Sequence, residues 1–432
     1  MIFVKVKIWG HEVGVVSWNS TAGYSTFEIR EDFIRHNINI SPITMPWDRI
    51  LRGQRIFEFP ELNYNTFNGL PGLLSDSLPD AYGTKLIITW LETQGRNPDS
   101  FSPIEKLSYI GKRGMGALEF EPSNNPYGDI SSQIELSELI ELANKVLVDR
   151  EKLNLNLNKD EELALSELIK IGTSAGGQRP KAIIAYNPES GEIRSGQVNT
   201  PKGFGHYILK FDGIKSGTLG DPEGFGKIEM AYHKMAISCG IDMMPCNLIH
   251  ENNRSHFITK RFDRSDDNKK IHLQTLCAIA HYDYQLPGAY SYESAFAEMR
   301  DMGLPYYDFE QLYKRMVFNI IARNQDDHTK NISFILMQGG EWRLSPAYDV
   351  CWSFNPKGDW TSSHQMTINN KRDDFTHDDL LLFAKNQGIK KAEVLIQQVK
   401  EAVSTWSKHA KSLDVEPGRI GFIEKTHRMN II

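Results

Sequence analysis

The segment Ala322–Val350 reads ARNQDDHTKNISFILMQGGEWRLSPAYDV and gathers ligand-type side chains at both ends of a predicted hairpin. Asn324, Asp326, Asp327, His328, Lys330 and Asn331 crowd its first part, and an apolar run then passes through Gly339 and Gly340 to Asp349. Pairing Ile332–Met337 antiparallel with Trp342–Ser345 across Gln338–Glu341 brings both ends of the ribbon to one edge. Asn331 and Asp349 are then expected side by side, with Asp326, five residues before Asn331, on the loop entering that edge. Two carboxylates and a carboxamide at one spot offer oxygen ligands suited to Mg2+ and a carboxylate to act as general base.

The spacing sharpens this expectation. A protein-kinase catalytic loop carries its base Asp five residues before the Asn that holds a metal, and the metal-binding Asp follows a short hairpin. Asp326, Asn331 and Asp349 keep that order, and the spacing selects Asp326 over Asp327 as the base. An Asx-rich turn is the plain alternative for an isolated Asp-x4-Asn; the hairpin and Asp349 count against it. Nucleotide phosphates also need partners upstream. Ser174, Ala175, Gly176, Gly177, Gln178, Arg179, Pro180 and Lys181 make a small-residue loop before a strand, able to turn backbone N–H groups toward phosphate oxygens. It is neither GxGxxG nor a Walker sequence, and such a string alone is more often a glycine turn. Lys210, near a predicted strand end, has the reach for the α- and β-phosphates, and Glu229 on the next predicted helix is placed to hold it as an ion pair. For His328, a nucleotide contact and a loop-ordering role stand equally open.

Composition removes several classes of function. The net charge of −6 provides no basic excess, so direct DNA binding would require a local patch. Cys239, Cys246, Cys277 and Cys351 contain no CxxC pair, which argues against a zinc site and a disulfide framework. Lys5 and Lys7 interrupt the early apolar run and no stretch is long enough to span a bilayer, so a cytoplasmic protein without membrane contact is expected. A chain of 432 residues, 40% hydrophobic and 10% aromatic, is expected to fold as two or three globular domains or lobes.

The elements that must position these residues follow from periodicity and punctuation. Residues 1–30 alternate and predict a small antiparallel hairpin unit. Residues 84–94 predict a helix closed by Gly95, 97–125 reads as loop-rich, and the Pro, Asn, Gly and Ser of 122–129 mark a boundary. Amphipathic helices are predicted over 131–147 and 158–171, the second capped by Asn158 and stopped by Gly172. Two strands flank the turn NPESG, and a third carries Lys210 near its end. GKIEMAYHKMAISCG predicts a helix stopped by Gly240, with Ile228, Ala231, Met235 and Cys239 as its apolar residues. Two more strands surround an Asn-rich turn in NLIHENNRSHFITKRFDR, and beyond residue 270 helices dominate apart from the hairpin. Val394, Leu395, Val399, Ala402, Val403 and Trp406 are expected in the core, and Asp373, Asp374, Asp378 and Asp379 at a solvated helix start.

FNGLPGLLSDSLPDAYG, SAGGQRPK, ITKRFDR, DDHTKN, LSPAYDV and MTINNKRDDFTHDDL, in this order over nearly the whole chain, resemble the HipA family of type II toxin–antitoxin serine/threonine kinases. The resemblance implies an α+β, two-lobed protein-kinase-like fold with an N-terminal accessory α/β domain (1–128), a kinase N-lobe (129–262) and a mostly helical C-terminal lobe (263–432). It implies ATP and Mg2+ as cofactors, and a HipB-like helix-turn-helix antitoxin that carries the DNA contact. It also implies toxicity by phosphorylation of a translation component, in family members typically an aminoacyl-tRNA synthetase, notably the glutamyl enzyme. By motif position Asp326 is the implied base and Asn331 and Asp349 the metal ligands. Ser174–Lys181 is the implied phosphate loop, Lys210 a phosphate contact, Lys260, Arg261 and Phe262 the hinge beside adenine, and His328 a nucleotide contact. Ser174 falls about where members carry an autophosphorylated serine, with Thr173 there in a register one residue earlier. The chain departs from some members in Gln178, Arg179 and Pro180 before Lys181, and in Lys260 where an acidic residue can precede the Arg–Phe pair. A catalytically idle antitoxin-binding co-repressor is the competing expectation, and a metal-dependent phosphoesterase a weaker third, short of ligands for two metals.

Overall fold

A computed structural model of the chain describes residues 3–79, 81–93, 95–97, 100–123, 140, 180–195, 199–213 and 223–431. Apart from Ile140, the helices expected over 131–147 and 158–171 lie outside the described residues, as do Thr173 and Ser174–Arg179 and most of the boundary expected over 122–129. Two compact units make up the chain: the first takes residues 1–38, 48–226 and 246–273, the second 39–47, 227–245 and 274–432.

In the first unit, β1 (Phe3–Ile8), β2 (His11–Asn19), β3 (Tyr24–Ile29), β4 (Ile56–Phe57) and β5 (Leu118–Glu121) form an antiparallel sheet in the order β4-β3-β2-β1-β5. Alternation sends Val4, Val6, Ile8, Phe27, Ile29 and Phe120 into its core. The expected N-terminal hairpin is therefore the centre of a five-stranded sheet, whose outer strands arrive from distant sequence. The stretch expected to be loop-rich also holds a helix, Pro103–Ile110, with Ser102 and Glu105 in a reciprocal capping box and Pro103 at the first turn. Gly111, Gly114 and Gly116, which give that stretch its loop-like look, lie between this helix and β5 rather than inside either.

A second sheet of the same unit contains β6 (Lys181–Tyr186), β7 (Ile193–Ser195), β8 (Gly205–Lys210), β9 (Cys246–Glu251) and β10 (Arg254–Lys260), ordered β7-β6-β8-β10-β9. The expected Asn-rich turn is a two-residue link: Asn252 and Asn253 both take positive φ, 43° and 65°, which Asn tolerates and a type I′ hairpin requires. Arg261–Arg264 fold back after β10 and tie this sheet to the glycine cluster. Asp263 takes both Nε and an NH2 group of Arg261, at 2.8 and 2.7 Å, and Arg264 bonds the carbonyls of Gly114 and Gly116. Gly116 has φ 74°, and a Cβ there would stand 3.0 Å from the Leu273 nitrogen, so the close approach needs glycine.

The second unit is mainly helical. Its helix Tyr306–Ile321 is buried on most sides, with Tyr313, Met316, Val317, Phe318, Ile320 and Ile321 fully enclosed. Gln274 and Thr275, the part of β11 (His272–Thr275) that belongs here, add a strand to the hairpin of β12 (Ser333–Leu336) and β13 (Trp342–Leu344) that the sequence pattern does not announce. The helix Ala392–Ser404 buries Leu395, Val399, Ala402 and Val403, and Trp406 follows them into the core. Val394 instead is 51% exposed, one residue off that stripe. Of the acidic residues expected at a solvated helix start, Asp379 closes a capping box with Thr376, and Asp373 pairs with Arg323 and Arg428. Among the described residues no helix is long and apolar enough to cross a membrane.

Candidate active site

The helix Tyr306–Ile321 delivers the chain to the acidic loop. It ends at Ala322, Arg323 turns into the left-handed region at φ 57°, and the Asn324 N–H bonds back to the Asn319 carbonyl at 2.9 Å. Gln325 donates to the Ser353 carbonyl and Ser353 to the Arg323 carbonyl, each at 3.0 Å, so the loop starts as a short parallel bridge. It leaves through a 3-10 turn, Thr329–Asn331, directly into β12. The hairpin pairs Phe334 with Leu344 and Leu336 with Trp342, and the Met337 N–H bonds the Glu341 carbonyl, so the turn is one residue shorter than the expected Gln338–Glu341 and the register shifts by one.

Within this loop two adjacent carboxylates have opposite surroundings. Asp327 is buried, with 1% of its side chain exposed, and accepts from the Tyr292 hydroxyl at 3.0 Å, His364 Nδ1 at 2.9 Å and the Gln365 N–H at 2.8 Å. Its donors hold the carboxyl below the usual range against the cost of burial. Asp326 keeps 39% of its side chain exposed and accepts from Trp360 Nε1 at 2.6 Å. Burial of its surroundings raises its pKa, and the charges of Asp349 and Asp327 add to that, while His328 and the Trp360 bond oppose it.

Both expected metal ligands act on Asp326, Asn331 at its backbone carbonyl and Asp349 on its carboxylate through charge. The Asn331 amide donates to the Asp326 carbonyl at 2.6 Å, which leaves its amide oxygen as the ligand-type atom. Asp349 acts electrostatically on both Asp326 and His328, and it adopts a left-handed φ of 52° unusual for a non-glycine residue. Among the described residues no group of three or more His, Cys, Asp and Glu side chains is arranged to hold a metal. An all-oxygen set of one or two carboxylates and an amide suits Mg2+, which fills the rest of its shell with water and substrate phosphates. His328 serves the loop: Nδ1 accepts from the Lys330 N–H at 3.2 Å, so in the neutral ring, favoured by burial, the proton sits on Nε2. That nitrogen lies 3.7 Å from Asp326 Oδ1.

In the first unit, Lys181 opens β6, Lys210 closes β8, and the two are direct cross-strand partners. Partners in an antiparallel pair share a face, so the two cationic side chains start from one side of the sheet. The Lys210 ammonium also lies 5.6 Å from the Phe257 ring centroid, and the Pro180 carbonyl accepts from the Phe211 N–H. Lys260 ends β10 with its ammonium 2.6 Å from Asp266. The Arg261 guanidinium is turned wholly inward onto Asp263, and Phe262 lies between them in sequence. Glu229 belongs to the helix Phe225–Ser238, in the second unit.

Sequence reasoning missed Tyr292, Trp360, His364 and Gln365, which contact the two carboxylates from 34 to 38 residues away; no local pattern marks them.

A model described as the HipA-like C-terminal domain matches residues 173–406, and one described as the HipA N-terminal domain matches residues 4–121. A protein of Sinorhizobium fredii (strain NBRC 101917 / NGR234), Y4mE, provisionally designated a kinase, is 23% identical over 207 residues. The match covers 43% of this chain and spans about half, 48%, of that relative's length. Among solved structures, a chain of the Shewanella oneidensis MR-1 toxin–antitoxin complex of HipA, HipB and operator DNA aligns over 98% of this chain and 95% of its own, with a TM-score of 0.66 and 17% identity. The shared architecture is the two-lobed kinase-like fold. The Helicobacter pylori proinflammatory kinase CtkA aligns over 51% of this chain and 92% of its own at 16% identity, with a TM-score of only 0.29.

Proposed function

The chain belongs to the HipA family, and from that premise we propose that it is an ATP- and Mg2+-dependent serine/threonine protein kinase, the toxin of a type II toxin–antitoxin pair. The observation that carries this is the contrast between neighbours: Asp327 is buried and saturated, whereas Asp326 stays partly open to solvent with Asn331 and Asp349 about it. A carboxylate of raised proton affinity that, among the described residues, accepts one side-chain hydrogen bond has little to contribute to a module that only binds an antitoxin.

In the proposed reaction Asp326 orients the acceptor hydroxyl and takes its proton as the γ-phosphoryl group passes from ATP to that oxygen, leaving ADP. Asp349 and the Asn331 amide oxygen would hold Mg2+, which when bound neutralises charge on the transferring phosphates. Lys181 and Lys210 supply positive charge for phosphates from the sheet of the first unit, and residues 174–179 and 181 supply backbone N–H groups, Pro180 having none. Lys260–Phe262 are proposed beside adenine through the backbone, since the Arg261 side chain is committed to Asp263. The partner is a HipB-like helix-turn-helix antitoxin through which the chain reaches DNA, and the target an aminoacyl-tRNA synthetase. Phosphate on Ser174 is a self-limiting modification that repels ATP by like charge.

The test is transfer from γ-labelled ATP with Mg2+ to the purified chain and to casein. Label is expected and should vanish with chelator; nucleotide binding without any transfer would favour the idle co-repressor. Asp349→Ala should weaken nucleotide binding in Mg2+ and leave binding in excess chelator at the wild-type level.

A further inference from the structure

We infer that Trp360 is a positioning residue for this chemistry: its indole N–H holds Asp326 Oδ1 so that Oδ2 is presented to the acceptor hydroxyl. The inference rests on Asp326 being the base. Among the described residues Trp360 is the side chain that hydrogen-bonds this carboxylate, at 2.6 Å, while His328 Nε2 stands off at 3.7 Å. An indole nitrogen donates and cannot accept, so Trp360 takes no part in moving the proton. Beside the lowering of the carboxylate's proton affinity that its bond brings, its effect is on geometry.

The surroundings of Trp360 show why the grip is stiff. The Trp360 carbonyl accepts from Gln365 Nε2, which also bonds the carbonyls of Gln325 and Ser363 at 3.2 and 3.1 Å. The Gln365 N–H and His364 Nδ1 are donors to Asp327, and the Asn355 N–H closes the loop on the Thr361 carbonyl at 3.1 Å. The short stretch Trp360–Gln365 thus holds both members of the Asp326–Asp327 pair. It anchors the buried carboxylate with two donors and sets the orientation of the open one with a third. Trp360 is only half-buried, so packing alone does not account for an indole at this place. A general base needs one oxygen aimed at the hydroxyl proton, and a carboxylate free to rotate spends only part of its time so aimed.

Replacing Trp360 with β-(3-benzothienyl)alanine keeps the bicyclic shape and exchanges the N–H for sulfur. With γ-labelled ATP, Mg2+ and casein as acceptor, kcat is expected to fall ~10- to 100-fold, with KM for ATP and Tm unchanged; Trp360→Phe should fall at least as far. A wild-type kcat in the isostere while Asp326→Asn is dead would overturn the positioning role alone. A fall in kcat joined by lower Tm and weaker ATP binding would assign Trp360 to structure and overturn it too. Full activity in Asp326→Asn would overturn the base assignment and this inference with it.

Discussion

Two aspartates, one in each unit, show what separates a structural carboxylate from a reactive one. Asp263 in the first unit is fully buried, and its oxygens take Arg261 at 2.8 and 2.7 Å, Arg264 at 2.9 Å and the Gly116 N–H at 2.7 Å. Two guanidinium charges outweigh the desolvation that opposes them and hold its pKa well below the ordinary carboxylate range. Asp326 in the second unit suffers desolvation and, among the described residues, has no cation in hydrogen-bonding contact and an indole as its one side-chain donor, so its pKa moves the other way. Burial disfavours the charge in both places; the number and charge of the donors decide the sign. A saturated carboxylate stores stability, and an under-coordinated one keeps an oxygen for chemistry.

That comparison breaks most visibly at Asp326. Asp326→Asn should lower phosphoryl transfer ~10^2- to 10^4-fold, the usual worth of a general base, and leave nucleotide affinity and Tm near wild type. Kinetics and calorimetry on one preparation would check both halves. Asp263→Asn should do the reverse by stranding two buried guanidinium groups. Urea unfolding should register a loss of ~3–5 kcal/mol, and a variant as stable as wild type would mean the cluster is not a structural anchor. Asp327→Asn belongs with Asp263: an amide oxygen can replace only part of what three donors now satisfy, so ~1–3 kcal/mol of stability should go. Transfer should suffer much less than in Asp326→Asn, and the opposite ranking of the two neighbours would show that the wrong carboxylate is taken as the base.

Acid sharpens the same contrast. Because its folded pKa is depressed, Asp263 binds its proton more readily in the unfolded chain. Its stabilisation is complete above the ordinary Asp pKa of ~3.9 and is lost as pH falls below that toward the lower folded value. Stability measured against pH should fall less steeply in Asp263→Asn than in wild type over that acid window. The smallest effect is expected at Ser102, whose hydroxyl caps the helix Pro103–Ile110: Ser102→Ala should cost ~1 kcal/mol in thermal unfolding and leave transfer unchanged.

Much of the frame was legible locally. The hairpin after Asn331, the end of β8 at Lys210, the Asn252–Asn253 turn and the Gly240 stop follow from period-two alternation and from residues that tolerate positive φ. The helix Pro103–Ile110 was also legible in Ser102, Pro103 and Glu105, but the glycine cluster that follows masked that signal. The strands β4, β5 and β11 were not legible, because a short strand takes its meaning from a partner elsewhere in the chain.

The sequence by itself determined the inventory and spacing of the acidic loop: Asp326, Asp327, His328, Asn331 and, beyond a two-glycine turn, Asp349. These are short-range facts, because a hairpin and a 3-10 turn are held by bonds between near neighbours. Tertiary structure alone decided which carboxylate would be used up. Tyr292, Trp360, His364 and Gln365 distribute their donors unequally between two adjacent aspartates. It likewise set Lys181 opposite Lys210, and committed Arg261 to Asp263. Proton affinity and charge pairing depend on distance and desolvation in space, and neither is a function of separation along the chain.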